Sequence, residues 1–520
     1  MSIVYTDEPS GESELIKSVI DYLFKSYSQY PNKTSVVYKD EEYTYTEVLL
    51  YSKKIASFLI DHVEDKNKPV IVFMRNTPSA LISFFGIAMS GNIYVPLDIQ
   101  LPIQRIEEII KIVDPAYIID CCGERNELYD LSVNTIKYDD IIAGENKDDE
   151  DVIDKTVSDI NDVDPLYILF TSGSTGVPKG VTVNHRAVID FVEEASEYME
   201  FSEEEIFLNQ APFYFDASVP DIYCTIRNAA TLHIIDNSMF TFPIKVVDHI
   251  EKNRINALYW VPSALITLAN FKVLQKRDIR SLRKIMFCGE IMPVKQLNMW
   301  RESAPSARYV NYYGPSETTY ACSYYEIDRD FSDDEVLPIG RAAKNTDIII
   351  LDNDKEVLDP NCIGEICVRG SCLAIGYYNS PERTDEAFVQ NPLNDKTRDI
   401  IYKTGDLGHY GSDGLIYFDG RKDHQIKLNG YRIELGEIET LVMSFDGVDR
   451  AACVFDSDEK KIYLFYQGNV ADIKEMIKGR LPEYMVPHRI IQLDELPQNR
   501  NGKIDRTLLA RMGAKNECKE

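Results

Sequence analysis

A chain of 520 residues is longer than one hydrophobic core ordinarily supports, so at least two domains are expected, and an apolar fraction of 44% is ordinary for a globular protein. The formal net charge of -29 excludes non-specific nucleic-acid binding, which needs Lys and Arg to neutralise phosphates. No apolar run reaches the roughly eighteen residues of a membrane span, and the N-terminus lacks the basic and apolar regions of a secretory signal, so the chain reads as cytoplasmic with no membrane partner.

The ten cysteines are scattered without CxxC spacing, so they are expected to be reduced thiols filling small core positions, and no zinc site is predicted. The acid excess is uneven. Residues 421–520 hold 17 Lys and Arg against 17 Asp and Glu, so the whole excess lies in residues 1–420. That break predicts a large domain over 1–420 and a small one over 421–520.

In chain order, Leu15, Ile16, Val19, Ile20 and Leu23 recur at helical spacing and predict a helix. Strands are predicted at 35–38 (SVVY), 70–73 (VIVF), 92–96 (NIYVP) and 116–119 (AYII), with a helix over about 78–90. The acidic stretch 139–164 is expected to be a surface loop. The apolar run 166–170 (LYILF) predicts a buried strand, and a further strand is expected at 230–235 (ATLHII). After residue 337 short strands at 347–351, 364–369 and 414–418, separated by Asp, Asn and Gly, predict a β-rich subdomain. A second unit then follows, with strands at 451–455 and 462–466 and a helix near 473–480. The fold class is therefore α/β: a large N-terminal domain of layered α/β subdomains with a β-rich subdomain, and a small C-terminal α+β domain.

The stretch FTSGSTGVPKG (170–180) combines what a polyphosphate needs from a loop. Gly173, Gly176 and Gly180 permit close backbone approach, the hydroxyls of Thr171, Ser172, Ser174 and Thr175 can bond phosphate oxygens, and Lys179 supplies charge. It is not the GxxxxGK[ST] pattern, because Gly180 rather than Ser or Thr follows Lys179. The alternative, a flexible interdomain linker, fits poorly between a buried strand and the β-branched run Val181-Thr182-Val183.

Further segments stand in an order of their own: YTYTEV (43–48), GNIYVPLD (91–98), FDAS (215–218), NYYGPSE (311–317), YKTGDL (402–407), GRKDHQIK (420–427), LPEYMVP (481–487) and NGKIDR (501–506). With the 170–180 loop they resemble the adenylate-forming superfamily over nearly the whole chain, in particular amino-acid adenylation domains of nonribosomal peptide synthetases and D-alanine:carrier-protein ligases. The resemblance implies ATP and Mg2+, formation of an acyl-AMP with release of pyrophosphate, and transfer of the acyl group to a thiol. It implies Lys503 as the catalytic cation between carboxylate and α-phosphate. It places Gly289, Glu290, Asn311, Tyr312, Tyr313, Gly314, Ser316, Asp406, Arg421 and Lys427 around the nucleotide, with Tyr313 stacking on adenine and Asp406, read as part of a Thr-Gly-Asp turn, accepting the ribose hydroxyls. Glu317 would hold Mg2+. Asp423 would be a hinge that lets the small domain swing between two reaction poses. Ser316 stands where the family more often has Thr, which keeps the hydroxyl.

Asp216 is the residue that speaks to substrate class, since in the peptide-synthetase pattern it pairs with an α-ammonium, and a buried carboxylate without a cation is costly. The remaining pocket positions by motif offset are Ala217, Pro220, Tyr259, Met286, Cys288, Tyr312, Tyr320 and Ala321. No charged residue joins them besides Asp216 and Lys503, so an uncharged side chain is expected, and FCGE (287–290) also resembles the D-alanine ligases, a resemblance that leaves a small residue, D-alanine included, open. With no carrier motif downstream and no condensation motif upstream, the chain is expected to be a freestanding ligase whose acceptor is the phosphopantetheine thiol of a separate carrier protein. An acyl-CoA ligase using free coenzyme A is the competing expectation within enzymes. A silent nucleotide-binding scaffold is the competitor outside them.

Overall fold

A computed structural model describes residues 15–124, 131–144, 150–173, 177–357, 359, 360, 362–470, 472–498 and 504–516. Contacts divide the chain into two compact units. One comprises Met1–Ile99, Asp114–Leu169 and Val181–Gly420, and the other comprises Gln100–Val113, Phe170–Gly180 and Arg421–Glu520.

In the first unit, the described residues form a nine-stranded sheet in which Thr34–Tyr38, Thr231–Ile234, Ile206–Asn209, Ala257–Trp260, Lys284–Cys288 and Arg308–Tyr313 run parallel in that spatial order. Antiparallel strands finish both edges, Glu41–Thr44 at one and Ser323–Glu326 then Arg341–Ala342 at the other. A seven-stranded sheet holds Pro165–Thr171, Ile93–Asp98, Pro69–Met74 and Tyr117–Asp120 as neighbours. Its strand Pro69–Met74 is buried at every position, as expected of a parallel strand covered on both faces. The third, antiparallel sheet is built on Thr346–Asp352, Gly364–Gly370 and Ile400–Tyr410.

Local chemistry explains where the helices start. Ser18 and Asp21 form a capping box at Val19–Gln29, and Thr44 and Glu47 form another at Tyr45–His62. Pro78 opens Pro78–Met89, where the missing N–H is not needed, and the apolar character of this helix on all sides matches its near-complete burial. Because the Ser18 cap sets the start, the helix expected from Leu15 begins only at Val19, and Leu15 is exposed.

Two expectations are corrected in this unit. The acidic stretch 139–164 is not simply a loop: it contains the helices Tyr138–Ala143 and Glu150–Ser158. Each has two acids in its first turn, where the helix dipole favours negative charge, and each buries one isoleucine, Ile141 and Ile153 respectively. Thr404–Gly405–Asp406 is likewise not a turn between strands. It lies inside the strand Ile400–Tyr410, at a register shift against Gly364–Gly370 where Gly405 takes φ +74°.

The second unit contains the hairpin Gln425–Leu428 and Tyr431–Glu434, the helix Leu435–Met443, and a sheet of Val448–Asp456, Lys461–Gly468 and Arg489–Gln492. Its core is led by Ile433, Ile438, Val442, Cys453, Ile462 and Leu464. The helix expected over 473–480 is shorter, Ile473–Ile477.

Candidate active site

Within the first unit, the predicted residues fall into an acid-binding group and a nucleotide group. Asp216 begins the short helical turn Asp216–Ser218, which leads into Val219–Arg227. Its Oδ2 accepts a hydrogen bond from Ser316 Oγ at 2.5 Å, joining residues 100 positions apart. Ser316 lies after Gly314, where a Cβ would stand 2.5 Å from the Tyr320 carbonyl oxygen and 2.6 Å from Ala321 Cα. Only glycine lets those two backbone segments approach so closely. Thr319 and Tyr320 both take positive φ, 53° and 75°, a conformation that costs non-glycine residues on the order of 1–3 kcal/mol each and tends to occur at functional sites.

Met286, Cys288, Tyr259, Tyr312, Tyr320 and Ala321 share one core cluster, with Ala217 packed against it. The rings of Tyr259, Tyr312 and Tyr320 lie 6.0–6.2 Å from one another, and Phe191 stands edge-on to Tyr320 at 5.3 Å. Pro220 is buried in the first turn of Val219–Arg227. Behind Tyr312 and Ala321 is a cavity of about 10 Å³, room for one water, also lined by Phe191, Tyr198, Tyr324 and Glu194. Glu194 is an acid on this small cavity, outside the positions aligned by motif offset. Burial pushes its carboxyl up to about 7, against the lowering effect of the Lys344 N–H it accepts at 2.8 Å.

The nucleotide group centres on Tyr313, whose hydroxyl donates to Asp406 Oδ2 at 2.6 Å; both residues are buried. The bulge in Ile400–Tyr410 aims Asp406 there: Asp406 N–H donates to Thr404 Oγ1, and Gly405 N–H donates to Glu365 Oε1. Asn311 Nδ2 donates to the Pro338 carbonyl. Gly289 takes φ +99° at the end of Lys284–Cys288, and Glu290 Oε2 accepts from Ser263 N–H at the start of Pro262–Asn270. Glu317 is fully buried, and Tyr377 Oη donates to its Oε1 at 2.8 Å. No cluster of three metal-ligating side chains occurs among the described residues, and the Glu317 carboxylate offers the oxygen donor that a hard cation prefers.

In the second unit the described part of the 170–180 loop meets two carboxylates. Gly173 N–H donates to Glu437 Oε2 at 3.1 Å, and Lys179 Nζ lies 3.7 Å from Glu434 Oε1. Ser172 Oγ donates to the Arg432 carbonyl and accepts from Glu434 N–H. Burial raises the pKa of Glu434 and of Glu437, opposed chiefly by Lys179 for the first and Arg105 for the second. Thr171 Oγ1 is buried with no hydrogen-bond partner among the described residues, a hydroxyl able to donate to a phosphate oxygen. A Cβ on Gly173 would stand 2.1 Å from the Val177 carbonyl oxygen, so this position too requires glycine. Arg421 grips Asp423 through two bonds of 2.7 Å and, against burial, holds that carboxyl below its usual range. Lys427 stands opposite Arg432 in the hairpin. Ser174, Thr175, Gly176 and Lys503 lie outside the described residues.

Sequence reasoning passed over Tyr377, whose hydroxyl meets Glu317, and the buried set Asn76, Asn209 and Asp221 beside the Asp216 segment. Their only sequence signal is a polar residue amid apolar neighbours.

Joining a carboxylic acid to AMP requires separate holds for a sugar, a polyphosphate and an acid. Holds of those three kinds on α/β layers define the class of ATP-dependent, adenylate-forming ligases. Residues 23–378 match the family model described as AMP-binding enzyme, and residues 437–503 match the AMP-binding enzyme C-terminal domain; the chain belongs to this family. Zwittermicin A synthase ZmaJ of Bacillus cereus is 31% identical over 502 residues, covering 93% of each chain. A D-alanine–D-alanyl carrier protein ligase of Bacillus cytotoxicus is 30% identical over 509 residues, covering 94% of this chain and 98% of that one. Among solved structures, holo-PA1221, an NRPS protein containing adenylation and PCP domains, superposes with a TM-score of 0.83 over 95% of this chain and 84% of its own, at 23% identity, a likeness of fold. Among the described residues no helix is long and apolar enough to cross a membrane.

Proposed function

We propose that this protein activates a small, uncharged amino acid with ATP and passes it to the phosphopantetheine thiol of a carrier protein. The observation that carries the reading is the Asp216 carboxylate, held by Ser316, with the adjoining Ala217 packed against a cluster of aromatic and small apolar side chains. A substrate ammonium group brings such a carboxylate an opposite charge, which a substrate without an amine does not. The tyrosines leave little volume, which favours glycine- or alanine-sized substrates, and the relatives named D-alanine–D-alanyl carrier protein ligase put D-alanine first.

In the first step a carboxylate oxygen of the amino acid bonds to the α-phosphorus, and the bond to the bridging oxygen breaks, so pyrophosphate leaves. Asp406 accepts from the ribose hydroxyls, with Tyr313 fixing its orientation. Thr171, Ser172, Gly173, Ser174, Thr175, Gly176 and Lys179 bind the β- and γ-phosphates, and Lys503 supplies charge at the reacting centre. Glu317 would hold Mg2+, which would neutralise phosphate charge when bound. Arg421 and Lys427 add positive charge toward the nucleotide, and Asp423 acts as the hinge. In the second step thiolate sulfur bonds to the acyl carbon and AMP departs with the bonding pair.

The test is a pyrophosphate-exchange screen over glycine and the L- and D-amino acids, followed by thioester assay with a phosphopantetheinylated carrier and with free coenzyme A. The expected result is exchange with one small amino acid and thioester on the carrier. Exchange with carboxylic acids lacking an amine, and thioester on coenzyme A alone, would move the protein to the acyl-CoA ligases.

A further inference from the structure

Five residues ahead of Asp216, the backbone is fastened by the side chain of Asn76, remote in sequence, and by that of the nearby Asn209. Asn76, just after the strand Pro69–Met74, donates through Nδ2 to Asn209 Oδ1 at 2.8 Å and to the Ala211 carbonyl at 2.9 Å, while its Oδ1 accepts from Phe213 N–H at 2.9 Å. Asn209, fully buried at the end of Ile206–Asn209, donates to the same Ala211 carbonyl at 3.0 Å and to Asp221 Oδ2 at 2.9 Å. Phe215 N–H then closes a turn onto the Pro212 carbonyl, directly before Asp216. Both hydrogens of the Asn209 amide are used, so its orientation follows from the network itself.

Asp221 anchors the far end. It is fully buried on Val219–Arg227, and its Oδ1 has no hydrogen-bond partner among the described residues. Among the described residues its side chain meets no cation and has one hydrogen-bond partner, the neutral Asn209, and burial pushes its pKa well above the carboxylate range. An ionised carboxylate is not sustained there, whereas a neutral acid that accepts once through Oδ2 and keeps its proton on Oδ1 is.

We propose that Asn76, Asn209 and Asp221 are positioning residues for Asp216: they pin the 211–213 backbone so that the Asp216 carboxylate meets the substrate ammonium, with Asp221 serving as a neutral hydrogen-bond acceptor. The proposal rests on the reading of Asp216 given above. A frame of this kind belongs to substrate geometry rather than to the nucleotide, so its loss falls on the amino acid and spares ATP.

The experiment compares Asn76→Ala, Asp221→Asn, Asp221→Ala and Asp216→Ala with the unaltered protein in amino-acid-dependent pyrophosphate exchange, using the preferred amino acid and its des-amino analogue. Asn76→Ala is expected to raise KM for the amino acid about tenfold while kcat changes less than about threefold and KM for ATP stays put. Asp221→Asn, which keeps a neutral acceptor of the same shape, should remain within about twofold of the parent, and Asp221→Ala should follow Asn76→Ala. An unchanged amino-acid KM in Asn76→Ala overturns the proposal, as does Asp221→Asn impaired as severely as Asp221→Ala, which would mean the charge is needed. If Asp221→Ala does not fold, the half-buried Asn76 and the isosteric Asp221→Asn decide alone. Failure of the underlying reading shows separately, as an Asp216→Ala variant that still prefers the amino acid to its analogue.

Discussion

The Tyr313 hydroxyl donates to Asp406 Oδ2 at 2.6 Å, so the ring proposed to lie against adenine and the carboxylate proposed to hold the ribose are one hydrogen-bonded unit. Burial and the neighbouring carboxylate push the Tyr313 phenol well above its usual range, so it remains a donor at every working pH. Hydrogen bonds to charged groups contribute about 1.5–3 kcal/mol. Tyr313→Phe is therefore expected to raise KM for ATP about tenfold with little effect on KM for the amino acid. Steady-state kinetics with each substrate varied in turn checks this, and equal shifts in both constants would count against it.

Glu194 predicts a pH effect on stability. Its carboxyl stands at about 7 against an ordinary 4.5, chiefly through burial, with Asp190 and Glu197 adding to the rise and the Lys344 amide and ammonium opposing it. A raised carboxyl holds its proton more tightly folded than unfolded, so its stabilising contribution is complete below about 4.5 and lost as pH climbs through about 7. Because the side chain is partly solvated, the effect is discounted to about 1 kcal/mol. Glu194→Gln should match the parent at pH 4.5 and exceed it by that amount at pH 8 in urea denaturation.

Lys503 carries the strongest catalytic expectation from the family resemblance. Lys503→Ala is expected to lower the adenylation rate by about a hundredfold or more while ATP binding persists, because its charge matters where the two anions react. Single-turnover adenylation alongside ATP titration separates the two effects, and near-normal adenylation would remove the lysine from the reaction.

Much of the architecture was legible because strands such as Pro69–Met74 and Pro165–Thr171 are unbroken apolar runs, which the parallel, doubly covered layers demand. The helices Tyr138–Ala143 and Glu150–Ser158 were not, since each buries a single isoleucine and their acids read as solvent-facing loop until the helix dipole is considered. The Thr-Gly-Asp segment looked like a turn because glycine with positive φ serves turns and bulges alike; only pairing with Gly364–Gly370 tells them apart. At the site, Asp216 was legible and its support was not. Ser316 and Asn76 reach that segment from distant parts of the chain, whereas Asn209 and Asp221 stand near it in sequence as isolated polar residues, and neither kind of hydrogen bond leaves a periodic trace.

The central claim is that Asp216 recognises an ammonium group. Its most direct test is the ratio of kcat/KM for the preferred amino acid to that for its des-amino analogue, measured by pyrophosphate release in the parent and in Asp216→Ala. A lost charged hydrogen bond predicts a fall in that ratio of about a hundredfold, with the analogue's own rate little changed. A ratio that survives the substitution would contradict the account.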